Sequence, residues 1–413
     1  IKEIVADMED KHQMNRLVQG DVGSGKTIVG VVSMYKAVLS GYQAAMMAPT
    51  EILATQHYDS ISNILGKYDI RCELLVGSLN SKKKEQVLED LKTGRIDIVV
   101  GTHAIIQENV EFNRLGLVIT DEQHRFGVKQ RAILSQKGMT PDVLVMTATP
   151  IPRTLALILY GDLDISIIDE LPPGRKEIKT YAVDKNMKER VYKFIEKQVN
   201  EGRQAYIVCP LIEETESLDI NSAEELYSYL RDEIFTKFKL GILHGRMASK
   251  EKDEIMKRFK ENEIQILVST TVIEVGVNIM VIFNAERFGL AQLHQLRGRV
   301  GRGEYQSYCI LINESMSPIS RERMRILQSS SDGFKISEKD LELRGPGEFF
   351  GTKQHGLPEL KIANLINDIN ILKVAQKDAQ KIIENNLIYN EEYKQLNLII
   401  SEMFNKNRDE LDY

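Results

Sequence analysis

The stretch Gly20-Asp21-Val22-Gly23-Ser24-Gly25-Lys26-Thr27 decides the fold of this chain. It matches the phosphate-loop pattern, in which a glycine-rich turn joins a buried strand to a helix. The flanks fit, because Arg16–Val18 is typical of a strand end and Ile28–Val32 opens an apolar run that can begin a helix. Glycines let successive backbone N–H groups point at phosphate oxygens, and the helix N-terminus adds positive partial charge. We therefore expect bound nucleoside triphosphate, with Lys26 on the β- and γ-phosphates and Thr27 on Mg²⁺.

The length and composition indicate a globular protein of several domains. A chain of 413 residues is too long for one ordinary hydrophobic core, so we expect two or three domains. Hydrophobic residues make up 42% and charged residues 28%, and no stretch is apolar enough to span a bilayer, which predicts a protein without a membrane segment. The net charge of −6 means that any nucleic acid is bound through local sites.

The three cysteines lie far apart and lack the spacing of metal ligands. Cys209 and Cys309 fall within apolar runs that are typical of strands. We expect these two and Cys72 to be small buried side chains in a reducing cytosol.

Short apolar runs alternate with helix-length segments in the first part of the chain, which predicts a parallel sheet covered by helices on both faces. The predicted strands are Arg16–Val18, Ala44–Ala48, Glu73–Val76, Ile96–Val100, Leu117–Thr120 and Val143–Met146. Residues 1–14 carry apolar residues at helical spacing, which predicts a helix cut at its start and hence a piece of a longer protein. Leu171–Gly174 contains two prolines and a glycine, so we predict a linker there and a first domain at residues 1–172.

A second set of strands and helices repeats the pattern without a second phosphate loop. The predicted strands are Gln204–Cys209, Lys239–Leu243, Ile264–Ser269, Ile279–Phe283 and Ser307–Ile312, and the predicted helices include Lys188–Val199 and Lys250–Phe259. This pattern predicts a second α/β domain at residues 173–316. From residue 317 onward the sequence becomes mostly helical in pattern, which predicts a third and smaller element at residues 317–413.

Two adjacent acids, Asp121 and Glu122, follow an apolar strand at the edge where ligands of parallel sheets bind. Asp121 is suited to hold Mg²⁺ through water, and Glu122 is suited to polarise the water that attacks a γ-phosphate. The alternative is a solvated turn after a strand. The phosphate loop upstream favours the catalytic interpretation.

An arginine-rich stretch, Gln292–Arg302, lies in the domain without a phosphate loop. Arg299 and Arg302 are one helical turn apart, so their guanidinium groups can project together towards phosphate oxygens. We predict an arginine finger, and the alternative is a basic surface helix. Gly298 and Gly301 argue against that alternative, because glycine weakens a helix and permits close approach.

Small polar residues follow several predicted strands, where hydroxyl and N–H groups suit sugar–phosphate contacts that do not read bases. Helix capping explains any one of them equally well. The candidates are Thr50, Thr102, His103, Thr147, Thr149, Arg246 and Thr270.

Two further groups of residues are open to more than one interpretation. Thr147 and Thr149 could also hydrogen-bond the acid pair and link nucleotide state to domain geometry, or simply cap a helix. The histidines His57, His124 and His294 show no metal-ligand pattern, so we expect ordinary polar groups with satisfied hydrogen bonds.

In this order the motifs resemble the core of superfamily 2 helicases, over nearly the whole chain. The segments that carry the resemblance are Gly20–Thr27, Thr120–Gly127, Thr147–Thr154, Leu243–Met247, Asn284–Arg302 and Asp340–Gln354. Within the superfamily they are most similar to the bacterial branched-DNA helicases. The related transcription-repair coupling translocases usually carry Asp-Glu-Glu-Gln where this chain has Asp121–His124. The resemblance implies two RecA-like parallel-sheet domains in tandem with ATP in the cleft between them, followed by a small, mostly helical element.

The resemblance also implies roles for individual residues. Those that it assigns to ATP, Mg²⁺ and hydrolysis are Gly20–Thr27, Asp121, Glu122, Gln295, Arg299 and Arg302. It assigns Arg323, Arg344 and Gln354 to a translocation motif that couples domain closure to movement on duplex DNA. The implied activity is ATP-dependent remodelling of stalled forks and Holliday junctions with 3′→5′ polarity. The implied setting is a monomer in the bacterial cytoplasm at the nucleoid, with forked DNA and a single-stranded DNA-binding protein as partners.

Two departures from the resembling family are expected to matter. The family's wedge domain and its adenine-contacting segment would precede residue 1, so fork specificity and base preference depend on sequence outside this stretch. Val277-Asn278 runs directly into Ile279-Met280, where the family usually has several more residues, including a proline. Two alternatives stay open: a transcription-repair coupling translocase, and a nucleotide-gated DNA-binding module without turnover.

Overall fold

The structure is a computed structural model. It describes residues 1–121, 137–138, 140–148, 163–170, 176–210, 216–270, 277–301, 305–315, 317–349 and 368–409. The chain divides into two compact units, one comprising Ile1–Pro152 with Tyr160–Phe349 and the other Arg153–Leu159 with Phe350–Tyr413.

The phosphate loop follows the carboxyl end of one strand of the first sheet. Its described strands are β1 (Asn15–Gly20), β2 (Gln43–Met47), β3 (Cys72–Leu75), β4 (Ile98–Gly101), β5 (Leu115–Asp121), β6 (Asp142–Thr147) and β7 (Asp164–Ile168). They pair in parallel in the order β3-β4-β2-β5-β6-β1-β7, with Leu17 of β1 opposite Val145 and Ile165. Because the strands are parallel, the carboxyl ends of β1 and β5 lie at the same edge of the sheet. Only β6 separates the two strands.

Helices cover this sheet, which explains why its central strands are apolar throughout. They are α1 (Lys2–Asp7), α2 (Lys26–Leu39), α3 (Glu51–Leu65) and α4 (Ser81–Lys92). Helix α2 packs against the sheet at Gly30, where a Cβ would lie 3.5 Å from side-chain atoms of Ile119 and Met146. Met34 and Ile61 are fully buried in the same core cluster.

The second sheet repeats this architecture. Its described strands are β8 (Lys179–Asp184), β9 (Ala205–Val208), β10 (Leu240–Leu243), β11 (Ile266–Ser269), β12 (Ile279–Ile282) and β13 (Tyr308–Asn313), in the parallel order β10-β11-β9-β12-β13-β8. Its helices are α5 (Lys188–Asn200), α6 (Glu216–Tyr229), α7 (Ser249–Lys260) and α8 (Leu290–Gly298). Two apolar clusters lie on its faces and contain Tyr206 and Phe235 respectively.

A helical hairpin packs on the second sheet. It consists of α9 (Pro318–Ser329) and α10 (Gly333–Phe349), and its Met324 and Ile336 belong to the same buried cluster as Leu293 and Leu296 of α8. The second unit contains α11 (Ile369–Glu384) and α12 (Lys394–Asp409), joined by single 3₁₀ turns. Within the described ranges, no helix combines the length and apolar character needed to cross a membrane.

The predicted fold class, two parallel-sheet α/β domains followed by helices, is confirmed. The helix predicted over residues 1–14 is wrong in length, because α1 ends at Asp7 and the polar residues 9–12 are exposed before β1 begins. Strands β7 and β8 escaped prediction because both are only partly buried and carry polar residues. The linker at 171–174 lies outside the described residues, and the domain boundaries stay predictions.

Two smaller expectations have a structural outcome. Cys209 and Cys309 are buried as predicted, whereas Cys72 is only partly buried; burial raises the pKa of all three thiols to about 12. Asn278 leads straight into β12, and its carbonyl accepts a hydrogen bond from the Tyr308 N–H at 2.8 Å.

Candidate nucleotide-binding site

The phosphate loop has the backbone conformation that its glycines predict. It leaves β1 at Gly20 and enters α2 at Lys26, with Gly25 as the N-cap residue at φ 94° and Gly23 at φ 77°. These left-handed values are unfavourable for residues that carry a Cβ. Nothing lies within 4 Å of a Cβ built on Gly25, so backbone conformation, rather than space, requires glycine there.

Polar atoms inside the loop are arranged to receive a phosphate group. Lys26 is 9% exposed, and its Nζ donates hydrogen bonds to the carbonyl oxygens of Gly20 and Asp21 at 2.9 and 2.8 Å. Ser24 Oγ is buried and has no hydrogen-bond partner in the described part of the chain. Thr27 lies half-buried in the first turn of α2. This cradle fits the triphosphate of a nucleotide, because an ammonium, a free hydroxyl and a helix N-terminus converge on it.

The acid at the end of β5 has a histidine partner. His57 of α3 places its Nε2 atom 2.8 Å from Oδ2 of Asp121, and both side chains are largely buried. The adjacent Thr120 is fully buried, and its hydroxyl has no partner among the described residues. The carboxylate oxygen, supported by an imidazole, is the kind of ligand that Mg²⁺ prefers. Glu122, the predicted catalytic acid, lies outside the described residues.

The second domain reaches the phosphate loop directly. His294 of α8 is 3% exposed, and its Nε2 atom lies 2.6 Å from Oδ1 of Asp21. The same carboxylate oxygen accepts a 2.7 Å hydrogen bond from the Val22 N–H. Burial acts to raise the pKa of the Asp21 carboxyl, but the hydrogen bonds from His294 and from that N–H, with the Lys26 charge, hold the pKa below its usual value.

The backbones also approach closely at this point. A Cβ built on Gly298, the last residue of α8, would lie 2.5 Å from the Cβ of Val22. Val22 is 6% exposed. Glycine at position 298 is therefore what permits α8 to rest against the phosphate loop.

One arginine that the sequence did not single out is central to this arrangement. Arg297 is 4% exposed and donates from Nη2 to Nδ1 of His294 at 2.9 Å. Its Nη1 donates to the carbonyl oxygens of Leu327 and Ser330 at 2.6 and 2.8 Å. The predicted finger Arg299 follows α8 directly and is half-buried, and Arg302 lies outside the described residues.

His57 and His294 both have hydrogen-bond partners, as predicted. Those partners are the acids Asp121 and Asp21 of the candidate nucleotide site. The spacing of these histidines in the sequence shows no metal-ligand pattern, and no group of three or more potential metal ligands occurs in the ranges that the structure describes. A usable signal existed for one of them, because His294 and Arg297 are one helical turn apart in the arginine-rich stretch.

The remaining predicted residues lie at several places around the two sheets. Thr50 caps α3, its Oγ1 accepting from the Leu53 N–H at 3.3 Å, which supports the capping alternative. Thr147 ends β6 and Thr270 follows β11, both buried. Other placements are Thr102 and His103 after β4, Gln295 in α8, Arg246 exposed after β10, Arg323 in α9 with its Nε atom buried, and Arg344 in α10. Thr149 and Gln354 lie outside the described residues.

A phosphate loop on one parallel sheet, contacted by a helix of a second parallel sheet, defines a two-domain phosphate-loop NTPase core of the helicase type. Three family models match the chain in order. They are the DEAD/DEAH box helicase over residues 2–158, the helicase conserved C-terminal domain over 186–304, and the C-terminal part of domain 3 of the ATP-dependent DNA helicase RecG over 330–409.

Individual relatives agree with the third match. The chain is 55% identical over 396 residues, 95% of its length, to the ATP-dependent DNA helicase RecG of Bacillus subtilis, and 53% identical over 388 residues, 93% of its length, to that of Synechocystis. It spans 58% and 47% of those two proteins. A solved structure of RecG bound to a three-way DNA junction is similar to 90% of this chain, with a TM-score of 0.73 and 49% sequence identity. The match covers 49% of the RecG chain in that structure. The chain is therefore similar to RecG helicases over nearly its whole length.

Proposed function

We propose that the chain is the motor region of an ATP-dependent DNA helicase that remodels branched DNA, such as stalled forks and Holliday junctions, in recombination and repair. The observation that carries the proposal is the two-domain nucleotide site, in which His294 and Gly298 of the second domain meet Asp21 and Val22 of the phosphate loop. A site assembled from two domains lets nucleotide binding and release change the arrangement of those domains. The relatives named for RecG support branched DNA as the substrate.

We assign the first chemical roles to residues of the phosphate loop and of the acid pair. Lys26, now hydrogen-bonded to loop carbonyls, turns to the β- and γ-phosphates when ATP binds. Thr27 and Asp121 would hold Mg²⁺, which would neutralise charge on the phosphates and orient them. Glu122 orients the attacking water, following its place in the sequence directly after Asp121.

The second domain completes the site. We assign sensing of the γ-phosphate to Gln295 on α8 and to Arg299, which directly follows it, and the contact of this helix with the phosphate loop supports the assignment. Arg302 is assigned the same role by its spacing. DNA contacts are assigned to the residues after the strands, namely Thr50, Thr102, His103, Thr147, Thr149, Arg246 and Thr270. Arg323, Arg344 and Gln354 are assigned to coupling of ATP turnover to movement on the duplex.

The wider setting follows from the family. We assign 3′→5′ polarity, a monomer, a cytoplasmic location at the nucleoid, and a single-stranded DNA-binding protein as a further partner. A transcription-repair coupling translocase is disfavoured, because the family model that matches residues 330–409 describes the ATP-dependent DNA helicase RecG. Stimulation by stalled RNA polymerase, without stimulation by forked DNA, would restore that alternative.

Phosphate release with and without forked DNA tests the proposal. We expect DNA to stimulate release by the unaltered chain, and Lys26→Ala to abolish the stimulated release. Lys36→Ala is the matched control, because Lys36 lies on the same helix and pairs with Glu9 at the surface. Undiminished hydrolysis by Lys26→Ala contradicts the assignment of the loop. Tight ATP binding without any phosphate release by the unaltered chain favours a nucleotide-gated DNA-binding module.

A further inference from the structure

His57 is the only polar residue among the four buried residues that the structure describes in helix α3. These four are Ala54, His57, Ile61 and Leu65, at the spacing of three and four that lines one face of a helix. The three apolar ones belong to the same core cluster as Ile119 of β5. A polar side chain in such a row needs a hydrogen-bond partner, because an unpaired polar group is costly to bury.

The partner of His57 is Asp121, which lies two residues after Ile119 and therefore on the same face of β5. The Nε2 atom of His57 lies 2.8 Å from Oδ2 of Asp121, and the two side chains are only 11% and 15% exposed, so water competes little for this bond. A carboxylate only accepts hydrogen bonds, so Nε2 carries the donated proton. The bond fixes how the carboxylate group is rotated at the end of β5.

Both ends of this hydrogen bond are attached to well-packed elements. Thr50 caps the first turn of α3, and Leu65 anchors its last turn in the core cluster. Strand β5, which ends at Asp121, pairs with β2 on one side and with β6 on the other. The position of the imidazole is therefore set by the fold, and the mobile part that it restrains is the Asp121 side chain.

Packing alone does not account for a histidine at this position. A leucine would continue the apolar row of α3, and a buried polar pair contributes little more to stability than apolar groups of the same shape. The bond instead has the form of the support that ligands of metal ions receive from a hydrogen-bonded neighbour. Loss of such a neighbour typically lowers metal affinity by about 10- to 100-fold.

We infer that His57 is a positioning residue for the metal site at the end of β5. It fixes the rotation of the Asp121 carboxylate that would receive a water molecule bound to Mg²⁺. His57 acts through Asp121 and is not itself a ligand. The inference rests on the proposed function for the assignment of Mg²⁺ to Asp121, and it adds the residue that orients this carboxylate.

Three substitutions separate the hydrogen bond from packing. His57→Leu keeps the apolar bulk and removes the donor. His57→Asn keeps an amide donor, but its side chain is too short to bring that donor to the position of Nε2. His57→Gln places an amide N–H near that position and keeps the bond.

The test is the affinity of the chain for Mn²⁺ in the presence of ADP, read from the electron paramagnetic resonance signal of the free ion. We expect His57→Leu and His57→Asn to weaken Mn²⁺ binding by about 10- to 100-fold, and His57→Gln to bind Mn²⁺ almost as tightly as the unaltered chain. Binding of ADP without metal, in EDTA, should be the same in all three variants.

ATP turnover gives a second measurement. His57→Leu and His57→Asn should need more Mg²⁺ for half-maximal phosphate release and should recover at saturating Mg²⁺. His12→Leu is the matched control in both measurements, because His12 also contacts an aspartate, Asp10, but is 94% exposed.

Each outcome supports or overturns the inference. Unchanged Mn²⁺ affinity in His57→Leu and His57→Asn overturns it, as does a failure of the unaltered chain to bind Mn²⁺ with ADP. Equal weakening in all three variants, with a lower unfolding temperature and weaker binding of ADP in EDTA, also overturns it, because His57 then only supports the packing of α3. If His57→Leu does not fold, the comparison of His57→Asn with His57→Gln decides. If Mn²⁺ binding changes as expected but forked DNA never stimulates phosphate release, the positioning role stands and the proposed helicase function fails.

Discussion

Replacing Gly298 with alanine tests the contact between α8 and the phosphate loop. The added Cβ would lie 2.5 Å from the Cβ of Val22, and 2.9 and 3.1 Å from its two methyl carbons. Carbon atoms pack at about 3.5 to 4.0 Å, so the two elements must separate by about 1 Å. Overpacking of this kind costs about 1 to 3 kcal/mol.

This free-energy cost falls on the contact between the domains and leaves each domain's own fold intact. Gly298 ends a helix, where alanine is favoured over glycine by up to about 1 kcal/mol. Because about 1.4 kcal/mol is a factor of ten in an equilibrium constant, the constant for placing α8 against the loop should fall by about 5- to 150-fold. We expect ATP turnover to fall by up to that factor while the unfolding temperature stays the same or rises.

The assay measures steady-state ATP turnover and thermal unfolding of Gly298→Ala side by side. Gly66→Ala is the control, because no atom lies within 4 Å of a Cβ built on Gly66. A second substitution sharpens the test. Val22→Gly should restore turnover to Gly298→Ala, whereas Val22→Ala should not, because its Cβ remains at 2.5 Å. Full turnover by Gly298→Ala alone, or equal rescue by both second substitutions, would refute the steric reasoning.

The remaining predictions concern charge, capping and thiol chemistry. The folded-state pKa of Asp21 is lowered, so its charge stabilises the protein above the unfolded-state pKa and this stabilisation is lost as pH falls through the folded-state pKa. Asp21→Asn should therefore lower the free energy of unfolding near neutral pH by about 1 to 3 kcal/mol and by less in acid, as measured by urea titrations; an equal loss at every pH contradicts the pairing with His294. Thr50→Ala should destabilise the chain by about 1 kcal/mol and Thr50→Ser by much less, in the same titrations, if capping is the role of this residue. The three cysteines should resist a thiol reagent at pH 8 in the folded chain, because a pKa of about 12 leaves about one thiol in ten thousand as thiolate. All three should react in denaturant. Rapid labelling of the folded chain would show that the thiols are accessible.

Much of the fold could be predicted because its signals are local. The phosphate loop is contiguous, and its glycines, lysine and threonine have chemistry that needs no distant partner. The buried strands are apolar runs, since helices cover both faces of a parallel sheet. Strands β7 and β8 were missed for the same physical reason, because each lies at the end of its sheet and is only partly covered.

The candidate site was predicted in part. The sequence pointed to Lys26, Thr27 and Asp121, and the structure places them at the carboxyl edge of one sheet. It also pointed to the arginine-rich stretch, but it favoured Arg299 and Arg302 by spacing. Spacing does not reveal which side chain of a helix is buried. Arg297, which is 4% exposed, could therefore not be distinguished from its neighbours.

The sequence by itself determined the nucleotide cradle, the two parallel sheets and the resemblance to helicases, since each depends on residues that are adjacent or regularly spaced. Only the tertiary structure decided which partners the site's acids have. Asp21 and His294 are 273 residues apart, and His57 and Asp121 are 64 apart. A hydrogen bond forms only between groups that the packing of separate elements brings within about 3 Å, and no local pattern records that distance.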